Sequence, residues 1–199
     1  MFRNALASSL ATSLLSAAAL AADTAPSRTD ASSMKLKITG IAQAGESPAR
    51  EPRRTAVTQN EVNAYLIFEA GDKIPDGIVE PTVSILGGGR VTARAVVDLD
   101  AVRRQNTQRS LLDPMNWVSG RVAVTATGVL RTNAGVGQMA FESAAIGRLP
   151  IPKVILQEIV SYYSRTPENP EGIDLDAPFS LPARVQEIQV EAGRAIVVQ

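Results

Sequence analysis

The chain has 199 residues, enough for one domain of ordinary size plus tails. Its 20 basic and 20 acidic side chains cancel, which argues against nucleic acid as a partner, because phosphate binding needs concentrated positive charge. Histidine and cysteine are both absent, which excludes Ser-His-Asp and Cys-His catalysis, imidazole and thiolate metal sites, disulfides and acylation at a cysteine.

The first segment reads as an address. Arg3 supplies a short positive start, Ala5 to Leu20 is uncharged and mostly apolar, and Ala19-Leu20-Ala21 places small residues where a signal peptidase reads them. Residues 1–21 are therefore expected to be a signal peptide cleaved after Ala21, giving a periplasmic or secreted protein with no transmembrane anchor after cleavage. Residues 22–56, rich in Ser, Thr, Ala, Pro and Arg, read as a flexible N-terminal segment. Within it, residues 34–41 (Met34-Lys35-Leu36-Lys37-Ile38-Thr39-Gly40-Ile41) alternate apolar and polar with period two. That pattern predicts an edge strand guarded by its lysines.

A single α+β domain is expected over residues 57–199. Thr58-Gln59-Asn60-Glu61 fits a capping box, in which the Thr side chain and the Glu side chain each accept from the other residue's backbone. The helix that follows, Val62 to Phe68, is apolar nearly all round, a pattern that predicts burial on more than one side. Alternating stretches around Gly87-Gly88-Gly89-Arg90, Thr132-Asn133-Ala134-Gly135 and Glu191-Ala192-Gly193-Arg194 predict three β-hairpins. A short helix is predicted over about 99–105. A second substantial helix, opened by Pro152, runs over 152–164 with Ile151, Ile155, Ile159 and Tyr162 on its apolar face. Residues 167–182, with four prolines and four acids, read as an extended loop. Together these predict a single curved antiparallel sheet of about six or seven strands, packed around one long N-terminal helix and the second helix near 152–164.

Several features have two readings. Gly87-Gly88-Gly89-Arg90 resembles a phosphate cradle in composition, but a strand rather than a helix follows it, which favours a hairpin turn. Asp98 and Asp100 are either a carboxylate pair for metal or acid–base work, or acids at the start of a helix; the second reading is favoured. Glu168, Glu171, Asp174 and Asp176 crowd one loop without the spacing of a calcium-binding loop. Trp117, Tyr162 and Tyr163 are either a binding surface or interior filling. The strands are unusually rich in small residues: Ala93, Ala95, Ala123, Ala126, Gly128, Gly137, Ala140, Ala144 and Ala145. Such a sheet either lets helices pack very close or leaves a channel unfilled.

Thr58-x-x-Glu61-Val62-Asn63-x-x-Leu66, Gly147-Arg148-Leu149-Pro150-Ile151-Pro152 before a helix, and Phe179-Ser180-Leu181-Pro182 before the last hairpin resemble small exported proteins of the LmeA and YpmS type. The resemblance covers about residues 57–199. It implies an envelope protein with a long curved sheet around a helix, in the style of tubular lipid-binding domains, and it carries no catalytic residue. The expected function is non-catalytic binding of a lipid or other hydrophobic ligand in the cell envelope, with Val62, Leu66, Phe68, Ile155 and Ile159 lining the site and no cofactor or metal. The alternative is an envelope scaffold or protein-interaction module, with an envelope protein as partner and no small ligand.

Overall fold

A computed structural model of the protein describes residues 25–47, 51–105, 120–166 and 169–199. The expected signal peptide, Trp117 and Glu168 lie outside the described residues, as do the side chains of Tyr162 and Tyr163. The fold is α+β. A six-stranded antiparallel sheet stands beside a three-stranded one, and four helices are arranged around them.

The N-terminal segment corrects two expectations. Residues 34–41 form no strand: they lie within an 18-residue helix, α1 (Arg28–Gly45). Ser27 caps it, accepting from the Asp30 backbone N–H at 3.1 Å while the Asp30 carboxylate accepts from the Ser27 N–H. Period two misled because Met34 and Ile38 satisfy both periods. With Ala31 and Ile41 they follow 3–4–3 spacing, and all four turn inward, whereas Leu36 has no place on that stripe and is 73% exposed. The segment is also not loose: α1 lies along the next helix and its end is pinned to the last loop. At Gly45 an added Cβ would stand 2.6 Å from the Ala183 backbone, so only glycine permits that approach. The ordered structure therefore begins well before residue 57.

Strand β1 (Arg54–Thr58) runs directly into α2 (Gln59–Phe68), with Thr58 ending one and capping the other. The capping box predicted at Thr58 and Glu61 is present, each side chain accepting from the other's backbone. A 3-10 turn at Gly71–Lys73 leads to β2 (Ile78–Gly87) and β3 (Arg90–Asp98). Their turn, Gly88-Gly89, has φ values of 60° and 81°; that left-handed pair matches the twist of a two-residue hairpin and settles the glycine run as a turn. Then come α3 (Leu99–Gln105), β4 (Arg121–Asn133), β5 (Val136–Ile146), β6 (Leu149–Ile151) and α4 (Lys153–Tyr163). A two-residue strand, β7 (Phe179–Ser180), pairs with β5, so the predicted extended loop is tied down near its end.

The third predicted hairpin, β8 (Glu187–Glu191) and β9 (Arg194–Val198), forms as expected but does not join the main sheet. It makes a separate sheet in the order β1-β9-β8, while the large sheet runs β2-β3-β4-β5-β6. The single sheet is thus corrected to two. They are stitched at few points: the Gly193 N–H donates to the Ile85 carbonyl at 2.8 Å, and the Thr132 hydroxyl accepts from Ile188 N–H at 2.8 Å and donates back to its carbonyl. β9 is taken by β1, a strand hidden in the segment expected to be flexible.

A candidate apolar surface and its supports

The register of the large sheet sorts its side chains. Residues opposed in an antiparallel pair share a face, and successive residues alternate. Val83, Ala93, Ala126, Ala144 and Ile151 form one row across all five consecutively paired strands. Ala95, Val124, Ile146 and Leu149 form the next; Ile85, Val91, Gly128 and Phe141, and then Ile78, Val97 and Val122, complete the same face. Every member is apolar or glycine. The other face carries Ser84, Thr92, Thr127 and Ser143 in one row, Thr82, Arg94, Thr125, Ala145 and Pro150 in another, and the apolar Val79, Val96 and Ala123 in a third. The Thr92 and Thr127 hydroxyls are 2.9 Å apart.

Two bulges keep that sorting in phase. On β2 an extra residue at Glu80-Pro81, with Glu80 at φ 52°, lets Ile78 and Val83 share a face although they are an odd number of positions, five, apart. On β5 the extra residue is Glu142, which brings Phe141 and Ala144 to the same side. Its carboxylate is taken by the Arg90 guanidinium in two bonds of 2.8 Å, which holds it below the ordinary carboxylate range.

The described residues cover the apolar face incompletely. Ile85, Gly128 and Ala144 are buried, but Val91, Ala95, Val97, Val122, Val124 and Ala126 are only half-buried, and Ala93 and Ile146 are exposed. No large side chain among the described residues is fully buried. The row through Ala93, Ala126 and Ala144 is built of small side chains between Val83 and Ile151, while the next row, Ala95, Val124, Ile146 and Leu149, carries larger ones.

Helix α2 packs against α1, β1 and β2, and it inverts the burial expected of it. Its buried residues are Glu61, Asn63 and Ala64, whereas Ile67 is 50% and Phe68 37% exposed. The reason is a match of repeats. Helix positions i and i+4 lie about 6 Å apart and alternate strand residues about 6.7 Å apart, so two amides on one helix stripe can read one strand edge. Asn63 donates to the Val83 carbonyl at 3.0 Å and accepts from its N–H at 2.7 Å; Gln59 accepts from the Ile85 N–H at 2.8 Å. These side chains stand in for a strand along the outer edge of β2. Below them, where Pro81 presents no N–H, polar cover is not needed and Leu66 and Ile67 take over. They line a groove of about 610 Å3 with Ile74, Ile78 and Val79.

Glu61 anchors α1 to α2. Its carboxylate accepts from Lys37 Nζ at 2.6 and 2.7 Å, from Ser33 Oγ at 2.6 Å and from the Thr58 N–H at 2.8 Å. Burial, the largest single influence, pushes this carboxyl up; the bonds from Lys37, Ser33 and Thr58 together outweigh it and hold it below its usual range. Lys35 adds an exposed pair with Glu69 at 2.7 Å, and the Arg28 guanidinium stacks 4.9 Å from the Phe68 ring centre.

The five residues predicted to line a ligand site are divided between two ends of the sheet. Val62 is half-buried and Leu66 lines the groove beside β2, while Phe68 lies under Arg28. Ile155 and Ile159, 50% and 39% exposed, belong to α4, which packs on β5 with β3 and β4 in between. The rows of the sheet, which sequence reasoning did not assign to the site, are the larger apolar surface; the signal was present in the alternation, but the bulges that align it were not.

The carboxylates flagged earlier have structural partners. Asp98 caps α3, accepting from the Ala101 N–H at 2.9 Å, and holds Arg121 at 3.3 Å; the Ala101 bond first, then Arg121, lower its pKa despite opposing desolvation. Asp100 accepts from the Gly120 N–H at 3.1 Å. Asp176 pairs with Lys153 and ties the acidic loop to α4. Among the described residues no three potential metal ligands stand together, and no helix is long and apolar enough to cross a membrane.

Comparison with known proteins adds no relative: a scan of protein-family models returns no match, and neither does a search of curated proteins.

Proposed function

We propose that the protein is an exported, non-catalytic binder of lipids or other hydrophobes in the cell envelope, and that the apolar face of the large sheet is where the ligand lies. One observation carries this reading: four successive register rows present only apolar side chains and glycine on one face, and the middle of that face stays open. Apolar area left in water on this scale marks a binding surface in a soluble protein. The row of Ala93, Ala126 and Ala144 would give a trough for an acyl chain, with Val and Ile side chains of the neighbouring rows as its walls. The resemblance to LmeA- and YpmS-type proteins points the same way. Native mass spectrometry of the purified chain and titration with a fluorescent fatty acid test the proposal. The expected result is a lipid adduct, or saturable probe binding that Ala126→Trp abolishes while the circular dichroism spectrum is unchanged. A clean apo mass with no probe response overturns it.

The scaffold reading draws on a different feature. The groove beside the outer edge of β2 combines apolar walls with strand backbone, a setting suited to an extended segment of another protein. A stable partner in pull-downs, lost in Ile67→Asp but retained in Ala126→Trp, favours it.

A further inference from the structure

At the β6 end, the apolar face runs out onto an exposed tip, residues 146–155, of which only Ile151 is half-buried. Leu149 opposes Ile146 and so continues the row from Ala95 and Val124. Leu149 is 74% exposed and Val154, at the start of α4, is 71% exposed. Side chains standing this far into water are a poor match for a flat protein partner, which would need a separate pocket for each. They suit a fluid apolar phase. Three further features fit lipid. The Lys153, Val154 and Ile155 N–H groups, at the start of α4 with no side-chain cap, precede its first intrahelical bond and suit the oxygens of a headgroup layer. Arg148 lies next to Leu149 and makes no hydrogen bond or ion pair with any described residue, which leaves its guanidinium available to a phosphate headgroup. Glu158, exposed one turn beyond Val154, limits entry to the first turn of α4.

We infer that the tip formed by Arg148, Leu149 and Val154 docks on the surface of a phospholipid bilayer, inserting its two apolar side chains at headgroup depth with Arg148 on a phosphate. The inference rests on the sheet-face reading, since docking there brings the end of the trough to the lipid.

Co-sedimentation of the chain as left by cleavage after Ala21, residues 22–199, with vesicles of phosphatidylcholine containing phosphatidylglycerol tests it, so that binding does not report on the apolar segment 5–20. Leu149→Asp with Val154→Asp is expected to weaken vesicle binding about tenfold or more. Arg148→Glu is expected to weaken it on the anionic vesicles more than on pure phosphatidylcholine. Leu36→Asp, at an equally exposed leucine on α1, leaves it unchanged. A wild-type chain that stays in the supernatant overturns the inference, as does a double variant that binds like wild type or a Leu36→Asp loss of the same size. A solution dimer dispersed by the tip substitutions also overturns it, assigning the tip to a protein interface. Fatty-acid titration without vesicles separates the two proposals: Val154→Asp and Arg148→Glu, at residues outside the four apolar rows, keep probe binding, whereas probe binding absent from the wild type with vesicle binding intact defeats the sheet-face reading alone.

Discussion

Asn63 offers the sharpest test of how α2 is held to the sheet. Asn63→Ala removes two hydrogen bonds, at 2.7 and 3.0 Å, and leaves the Val83 N–H and carbonyl without their side-chain partner. A net loss of about 0.5–1.5 kcal/mol per bond, with a further penalty for backbone groups that water reaches only partly, gives about 2–3 kcal/mol. For a chain of this size that is a fall of about 5–10 °C in melting temperature. Asn63→Asp separates this account from a general intolerance of the position. The carboxylate still accepts from the Val83 N–H, but its second oxygen now faces the Val83 carbonyl, and ionisation is disfavoured. The folded-state pKa of the new group is therefore raised. Its protonated form can donate to the carbonyl, so the deficit relative to wild type is smallest below the unfolded carboxylate pKa of about 4 and grows as pH rises through the folded value. Urea denaturation of both variants and wild type at pH 4 and pH 7 measures it. If Asn63→Asp is no worse at pH 7 than at pH 4, or if Asn63→Ala unfolds with wild-type stability, the amides do not serve as a surrogate strand.

Glu61→Ala is expected to cost about 2–3 kcal/mol, less than for a wholly buried pair because Lys37 can turn to water. Limited proteolysis should then cut between α1 and β1 before the rest is attacked. Glu61, Asp98 and Glu142 all have depressed carboxyl pKa values, so their stabilisation is complete above the unfolded carboxylate pKa and lost as pH falls through the folded values. Acid unfolding should set in below about pH 4, with a shallower slope in Glu61→Gln, read by circular dichroism. Ala134, at φ 48° in the turn between β4 and β5, holds a left-handed conformation that costs a non-glycine residue about 1 kcal/mol. Ala134→Gly should raise thermal stability slightly, and a clear decrease in a calorimetric scan would contradict the strain.

The local decisions were written in the sequence. Turn glycines at 88, 89, 135 and 193, the Thr58–Glu61 capping box, Pro152 ahead of α4 and the alternation of β3 and β4 depend on residues a few positions apart, whose preferences act before the chain is compact. The α+β class and all three hairpins follow from them. Other features needed partners distant in sequence. Residues 34–41 satisfied strand and helix periods alike, and it was the Glu61 carboxylate, with the space beside Ala183, that made the helical stripe the buried one. The third hairpin left the main sheet because β1 completes its edge, a pairing between Arg54 and Val198 that no short window contains. The apolar face likewise depended on bulges at Glu80-Pro81 and Glu142, which set the phase between strands only once register was chosen. Sequence determines what each segment can do alone; the choice among satisfactory alternatives falls to whichever contact buries a side chain or pairs a backbone group across the fold.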